Sequence, residues 1–166
     1  MKNLFRVVLL LGAIGLGVWG WLILFPSPQV VIENRLKKLA GLASFGAGEG
    51  NVAKLANVQR LGTYFTDNIE VKLEGTGLES HTFNKREELM QAAMAARSSG
   101  LEIHAKFIDV KVTLSPAGDS AEADLMLNLS VSTLRDPIFQ EMKVRLQKEG
   151  STWLVNRIET TSTLKN

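Results

Sequence analysis

The sequence of 166 residues has the length of one globular domain, and its 45% hydrophobic and 22% charged residues exclude a disordered, collagenous or coiled-coil chain. It contains no cysteine, which excludes disulfides, thiolate metal sites and a thiol nucleophile. The formal net charge of +2 comes from Lys2 and Arg6, because the chain from Glu33 onward carries 17 basic and 17 acidic residues. Without a concentrated basic face we expect no nucleic-acid partner. With only His81 and His104 we expect no metal site and no cofactor.

The N-terminal segment contains 19 consecutive uncharged residues, Val7 to Phe25. As a helix this segment spans about 28 Å, the thickness of the hydrocarbon core of a bilayer. It is longer than the apolar core of a cleaved signal peptide, which is the alternative, and no small-x-small cleavage site follows it. We therefore expect a retained single-pass transmembrane anchor. Lys2 and Arg6 favour a cytoplasmic tip at residues 1–6 of a protein of the inner membrane.

The predicted anchor is followed by a linker, residues 26–29, and by one extracytoplasmic domain, residues 30–166. Ser27 is a suitable N-cap for the first helix of this domain, with Pro28 in the first helical position. The glycine-rich segment 46–50 ends that helix. This segment follows a helix and carries no lysine, so we interpret it as a flexible connector and not as a phosphate-binding loop.

Two further amphipathic helices are predicted. Asn51 caps the second helix, whose apolar face extends to Phe65. Asn84 and Glu87 have the spacing of a capping box, so they start the third helix, which ends at Gly100.

Alternating apolar and polar residues predict a sheet in the rest of the chain. In its third strand the apolar phase moves by one residue, which predicts a β-bulge near Phe107 and Ile108. Every strand has one apolar face, and such a sheet must be covered by the amphipathic helices. The predicted fold is therefore α+β, a cone formed by a curved antiparallel sheet with covering helices. The predicted strands are 68–75, 80–83, 101–114, 121–131, 141–147 and 151–164.

Three segments, YFTDNIEVKLEG, NKREELMQ and GSTWLVNRIET, resemble the nuclear transport factor 2-like superfamily, which has the cystatin-like fold and includes polyketide cyclase-like and steroid isomerase-like domains. The resemblance covers the region from about residue 30 to residue 164 in element order and turn placement. It implies a pocket between the concave face of the sheet and the helices, where the enzymes of the superfamily place Asp, His or Tyr. Its members include enzymes, ligand binders and adaptors, so the fold alone does not select a function.

The sheet positions that should face the implied pocket are apolar. The ionisable residues of the same strands alternate with them and should therefore lie on the opposite face of the sheet. The catalytic groups of the superfamily therefore do not carry over to this chain. The positions expected to face the pocket are Ala105, Phe107, Leu125, Leu127, Leu129, Met142, Val144 and Val155. The ionisable residues expected to face solvent are Glu102, His104, Lys106, Asp124, Glu141, Lys143 and Arg145. The candidate pocket-lining residues are Tyr64, Phe107, Leu127, Met142 and Trp153.

The remaining polar candidates have ordinary structural interpretations. Asp67 precedes the first strand in a turn, where aspartate is common. His81 lies on the short second strand and could act as a base at the mouth of the pocket, but a structural histidine is the favoured interpretation. We therefore expect a non-enzymatic, membrane-anchored interaction or assembly module with a protein partner. The alternatives are a binder of an apolar small molecule or lipid, and a vestigial isomerase or hydrolase.

Overall fold

The structure is a computed structural model that describes residues 26–75 and 78–161, without the side chains of residues 74, 75 and 78–81. The predicted span Val7–Phe25 lies outside these residues. Within the described ranges no helix is long and apolar enough to cross a membrane. The chain divides into two compact units, Met1–Val31 and Ile32–Asn166. The site discussed below lies entirely in the second unit.

The described residues form three helices and six strands. Their order along the chain is that of the predicted α+β domain. The helices are α1 (Pro28–Ala43), α2 (Asn51–Gly62) and α3 (Arg86–Ser98), and the strands are β1 (Phe65–Gly75), β2 (Leu78–Lys85), β3 (Ile103–Leu114), β4 (Ser120–Val131), β5 (Ile138–Glu149) and β6 (Thr152–Thr160).

The six strands form one curved sheet in the order β2-β1-β6-β5-β4-β3. All neighbouring pairs are antiparallel except β1 and β6, which are parallel. The alternation predicted from the sequence is observed: Met142, Val144 and Leu146 of β5 are buried, while Glu141 and Arg145 are exposed. The sheet therefore has one apolar face, which packs against the helices.

The predicted β-bulge is present, two residues beyond the predicted position. Ile108 pairs with Met126 and Lys111 pairs with Asp124, so β3 has one residue more than β4 between these pairs. Asp109 in this interval has φ 53°, in the left-handed region. The extra residue brings Val110 to the same face as Phe107 and bends the strand.

The helix boundaries confirm some predictions and correct others. Helix α1 begins at Pro28, and the backbone N–H of Val31 donates to the Ser27 carbonyl at 3.1 Å, as expected. At α2 the N-cap is Gly50 and not Asn51, without a side-chain capping hydrogen bond. Phe65 was expected on the apolar face of α2, but this helix ends at Gly62 and Phe65 is the first residue of β1. Phe65 is buried all the same, because the short Thr63–Tyr64 turn keeps it under the helices.

The start of α3 differs from the predicted capping box by one residue. The N-cap is Lys85, and the backbone N–H of Asn84 donates to Glu88 Oε2 at 3.1 Å, so Glu88 takes the place predicted for Glu87. The helix ends at Ser98, and Gly100 has φ 78°, a conformation that glycine adopts without strain. The core thus lies between one face of the sheet and the three helices, with its main cluster formed by Ile32, Leu36, Leu39, Leu61, Phe65, Ile69, Val71, Ala121, Ala123, Leu125, Met142, Val144, Leu146, Trp153, Val155 and Ile158.

Candidate ligand cavity

An apolar cavity of about 360 Å³ lies between the concave face of the sheet and the helices. Small residues on α3, Ala92, Ala93 and Ala96, face it and leave this space unfilled. Ligand pockets in proteins are commonly about 300–1,000 Å³ and mostly apolar, so the cavity has the size and the chemistry of a small binding site. Its other apolar lining residues are Leu39, Ala43, Phe45, Leu61, Phe65, Val71, Leu73, Phe83, Leu89, Ile103, Phe107, Met142 and Ile158.

Arg97, in the last turn of α3, is the ionised residue in the described lining of the cavity. Only 3% of it is exposed to solvent. Its Nη1 lies 2.6 Å from Glu49 Oε2, its Nη2 donates to the Leu42 carbonyl, and its guanidinium lies 5.0 Å from the centre of the Phe45 ring. Arg97 therefore joins α3, the C-terminal end of α1 and the segment between α1 and α2.

Glu49, which is half-buried beside Arg97, is held by two donors. Its Oε1 accepts from Asn57 Nδ2 at 2.5 Å and its Oε2 accepts from Arg97. Burial alone would raise the pKa of Glu49, but these hydrogen bonds and the charge of Arg97 outweigh it and lower the pKa. Glu49 is therefore ionised at neutral pH, and the Arg97–Glu49 pair carries no net charge.

The glycine-rich segment 46–50 was interpreted as a flexible connector. In the structure, hydrogen bonds from Arg97 and Asn57 hold this segment in place at Glu49. Neither member of this ion pair was among the site residues predicted from the sequence. Arg97 follows Leu89 and Ala93 at intervals of four residues, so it lies on the face of α3 that carries apolar residues. That spacing is a usable signal for a buried arginine. Glu49 stands among glycines and has no such signal.

The structure places the five candidate pocket-lining residues in three surroundings. Phe107 and Met142 line the cavity. Leu127 and Trp153 pack in or against the core and are not among the residues described as lining the cavity. Tyr64 packs against the core with its ring 4.3 Å from the Arg35 guanidinium, and it borders a separate surface depression near Lys38.

Asp67 and His104 are not among the described lining residues of the cavity. The side chain of Asp67 is 78% exposed and forms an ion pair with Arg86 at 2.7 Å. His104 is exposed and opposite Ser130 in the sheet register. His81 pairs with Leu73 through the backbone, and its side chain lies outside the described part of the chain. Within the described residues no three His, Asp or Glu side chains are grouped as metal ligands.

The outer face of the sheet carries the charged side chains of the central strands. Glu122 lies 2.8 Å from Lys143 and 3.2 Å from Arg145, and Glu70 lies 3.0 Å from Arg157. Hydrogen bonding from Lys143 is the main reason why the pKa of Glu122 is lowered. Of the seven ionisable residues expected to face solvent, Lys143 is half-buried in this network and the others are exposed.

A larger and more polar depression, of about 610 Å³, lies where β1 departs from its regular pairing with β6. It is bordered by Asp67 and Arg86, which neutralise each other, and by Asn68, Gln147 and Asn156. The Asn156 amide donates to Gln147 Oε1 at 3.1 Å. The apolar cavity is the stronger candidate site, because an apolar ligand gains transfer free energy against its aliphatic and aromatic lining, which the more polar depression does not offer.

Comparison with known proteins identifies the fold. No protein-family model and no curated protein matches the chain. Among solved structures, the chain is similar to an NTF2-like protein of unknown function from Pseudomonas putida, with 11% identity, a TM-score of 0.60, and coverage of 82% of this chain and 87% of that chain. It is also similar to Aln2 from a Streptomyces species, with 12% identity, a TM-score of 0.59, and coverage of 82% and 92%.

A third similar structure is a candidate scytalone dehydratase from Novosphingobium aromaticivorans, with 11% identity, a TM-score of 0.54, and coverage of 80% of this chain and 86% of that chain. Identities this low establish the fold alone. The chain therefore has the NTF2-like, cystatin-like α+β fold that its sequence resembles.

Proposed function

We propose that this domain binds an apolar small molecule or lipid in the cavity between the sheet and the helices, without catalysing a reaction on it. The observation that carries the proposal is the cavity of about 360 Å³ walled by aliphatic and aromatic side chains. Every CH₂ group that a ligand buries there gains about 0.8 kcal/mol of transfer free energy. A ligand that binds the folded chain and not the unfolded chain also stabilises the protein by mass action.

The chemistry of the lining supports binding in preference to catalysis. General acid–base catalysis needs a titratable group within hydrogen-bond reach of the substrate. Among the described lining residues, the ionised group is Arg97, a permanent cation that cannot exchange a proton at neutral pH. Glu49 is engaged by Arg97 and Asn57.

The test of this proposal is the binding of the uncharged fluorescent dye N-phenyl-1-naphthylamine to the full chain in lipid nanodiscs. Ala93 lines the cavity, so Ala93→Phe fills part of it and should weaken dye binding at least about tenfold. Ala95 lies on the same helix but is exposed, so Ala95→Phe is a matched control that should bind as the natural chain does. Equal binding by all three proteins would show that the dye only partitions into lipid, and the proposal would be wrong.

The proposal includes presentation of the domain from a membrane. The support is the sequence of Val7–Phe25, which has the length and apolarity of a transmembrane helix, with Lys2 and Arg6 before it. In this arrangement the domain stands on the extracytoplasmic side of the inner membrane, where its ligand would be a component of, or a passenger from, the adjoining bilayer.

A membrane-anchored interaction or assembly module is the second candidate function. The observation that favours it is Phe139, which is 56% exposed on the outer face of the sheet, five residues after the exposed Leu134. Large exposed aromatic residues are frequent anchors of protein interfaces. If this role is the correct one, Phe139→Ala should abolish co-purification of a protein partner from solubilised membranes, and Ala93→Phe should not.

A further inference from the structure

The polar group of the cavity wall is Arg97, and its surroundings determine which ligands the cavity accepts. A guanidinium has five N–H donors. The contacts with Glu49 and Leu42 engage two of them, and Arg97 also lines the cavity. A ligand atom with a lone pair, placed next to Arg97, can therefore accept a charge-assisted hydrogen bond.

The charge of Arg97 is already balanced before a ligand enters. Glu49 lies 2.6 Å from Nη1, its side chain is only 13% exposed, and a second donor, Asn57, holds it in place. A ligand carboxylate next to Arg97 would place a second anion beside Glu49. Lys54 acts on Glu49 through its charge but forms no ion pair with it. The close cluster of Arg97, Glu49 and the ligand carboxylate would therefore carry a net negative charge next to apolar side chains, which is unfavourable.

We propose that the cavity selects uncharged apolar ligands that carry a hydrogen-bond acceptor, such as an ester or ketone carbonyl, and discriminates against the corresponding carboxylates. Arg97 donates to the acceptor, and Glu49 sets the charge of the site. This inference rests on the proposed function, because it names the class of ligand for the same cavity.

The test compares three ligands of equal carbon number as competitors of the dye N-phenyl-1-naphthylamine on the full chain in zwitterionic nanodiscs. The three are decane, methyl nonanoate and decanoate, and the signal of Ala93→Phe is subtracted as lipid partitioning. We expect methyl nonanoate to compete at least about tenfold better than decane, because it gains a hydrogen bond to a charged donor, and at least about tenfold better than decanoate.

Two variants assign this selectivity to the ion pair. Glu49→Gln keeps a hydrogen-bond acceptor for Arg97 but removes the negative charge, so decanoate should gain at least about tenfold in affinity while methyl nonanoate changes little. The double variant Arg97→Met with Glu49→Gln removes both charges, so the preference for the ester over decane should disappear.

The outcomes separate this inference from the proposed function. If decanoate competes with the natural chain as well as the ester does, or if decane competes as well as the ester, the inference is wrong while the cavity remains a binding site. If none of the three competes and the dye does not distinguish Ala93→Phe from the natural chain, the inference and the proposed function both fail. The ligand comparison on the natural chain decides the question even if a variant does not fold.

Discussion

At the scale of single residues, the structure makes a direct prediction for Arg97. Arg97→Met keeps the apolar stem but leaves the half-buried Glu49 without its cation and removes the donor to the Leu42 carbonyl at the end of α1. Leaving a partly buried polar group without its partner costs about 1–3 kcal/mol. We expect a loss of this size in the free energy of unfolding, measured with urea.

The matched variant for this prediction removes both charges. Arg97→Met combined with Glu49→Gln no longer buries an unpaired charge, so it should recover part of the stability that the single variant loses. If the single variant is as stable as the natural chain, the Arg97–Glu49 pair does not contribute to the fold as described here.

The pH dependence of stability follows from Glu49. Its pKa is lowered in the folded protein, because hydrogen bonds from Arg97 and Asn57 outweigh the effect of burial. The ionised carboxylate therefore stabilises the fold above the unfolded-state pKa of about 4.3, and this contribution is lost as the pH falls through the lower pKa of the folded state.

The lowered pKa of Glu49 is tested by comparing the natural chain with Glu49→Gln. Urea unfolding of the natural chain should show a larger loss of stability between about pH 6 and about pH 3 than unfolding of Glu49→Gln, which lacks the titrating group. The other carboxylates with lowered pKa values, among them Glu70 and Glu122, are present in both proteins, so their contributions to the pH dependence cancel in the comparison. Parallel pH profiles would contradict the role assigned to Glu49.

At the scale of elements, the β-bulge of β3 is the feature on which the apolar face of the sheet depends. Asp109 has φ 53°, which a β-branched residue adopts only with strain. Asp109→Val should lower the free energy of unfolding by about 1–3 kcal/mol. Thr113→Val, at an exposed and regular position of the same strand, is the control and should change stability little.

Deletion of Asp109 tests the bend of β3 separately from its register. Without the extra residue Val110 stands two positions after Phe107, so Val110, Val112 and Leu114 still face the core in a regular strand, and only the local bend is lost. We expect the deleted chain to fold with the far-UV circular dichroism spectrum of the natural chain. A deletion variant that does not fold would mean that the bend itself is required.

Strands were the elements most accessible to sequence reasoning, because the period of two is visible in the residues themselves. The alternation around Met142 and Val144 predicted the buried face of β5, and the phase change after Phe107 predicted the bulge to within two residues. Helix ends were less accessible. Phe65 is apolar and buried both as the end of a helix and as the start of a strand, so its hydrophobicity could not separate the two.

The cavity was only partly accessible for a related reason. The alternation of residues along a strand predicts which side chains face the helices, and Phe107 and Met142 are two of these. It does not predict how far the helices stand from each part of the sheet, which depends on the small side chains Ala92 and Ala93 of α3. The ion pair joins residues 48 positions apart in the sequence, so no local pattern indicates it.

At the scale of the whole molecule, the sheet order could not be derived from the strands alone. β1 and β6 are the first and last strands of the described residues and lie side by side in parallel, so the centre of the sheet forms only when β6 is in place. The pairing of β1 with β6 also forms part of the cavity wall, because Val71 and Ile158 pair with each other and both line the cavity.

The membrane anchor is a prediction at the same scale. The natural chain should remain with the membrane fraction after washing with alkaline carbonate, because about 19 apolar residues insert as a spanning helix. A chain that begins at residue 26 should be found in the soluble fraction. Intact-mass analysis of the membrane-extracted protein shows whether the segment is retained. A mature chain that starts near residue 27 would contradict the anchor and identify the segment as a cleaved signal peptide.

The central claim is that the cavity between α3 and the concave face of the sheet holds an uncharged apolar ligand. The most direct measurement is a crystal structure of the natural chain with methyl nonanoate. We predict electron density for the alkyl chain against Phe107 and Met142, with the ester carbonyl within hydrogen-bond distance of Arg97. A cavity filled by rearranged side chains, or an ester bound elsewhere on the protein, would contradict the claim.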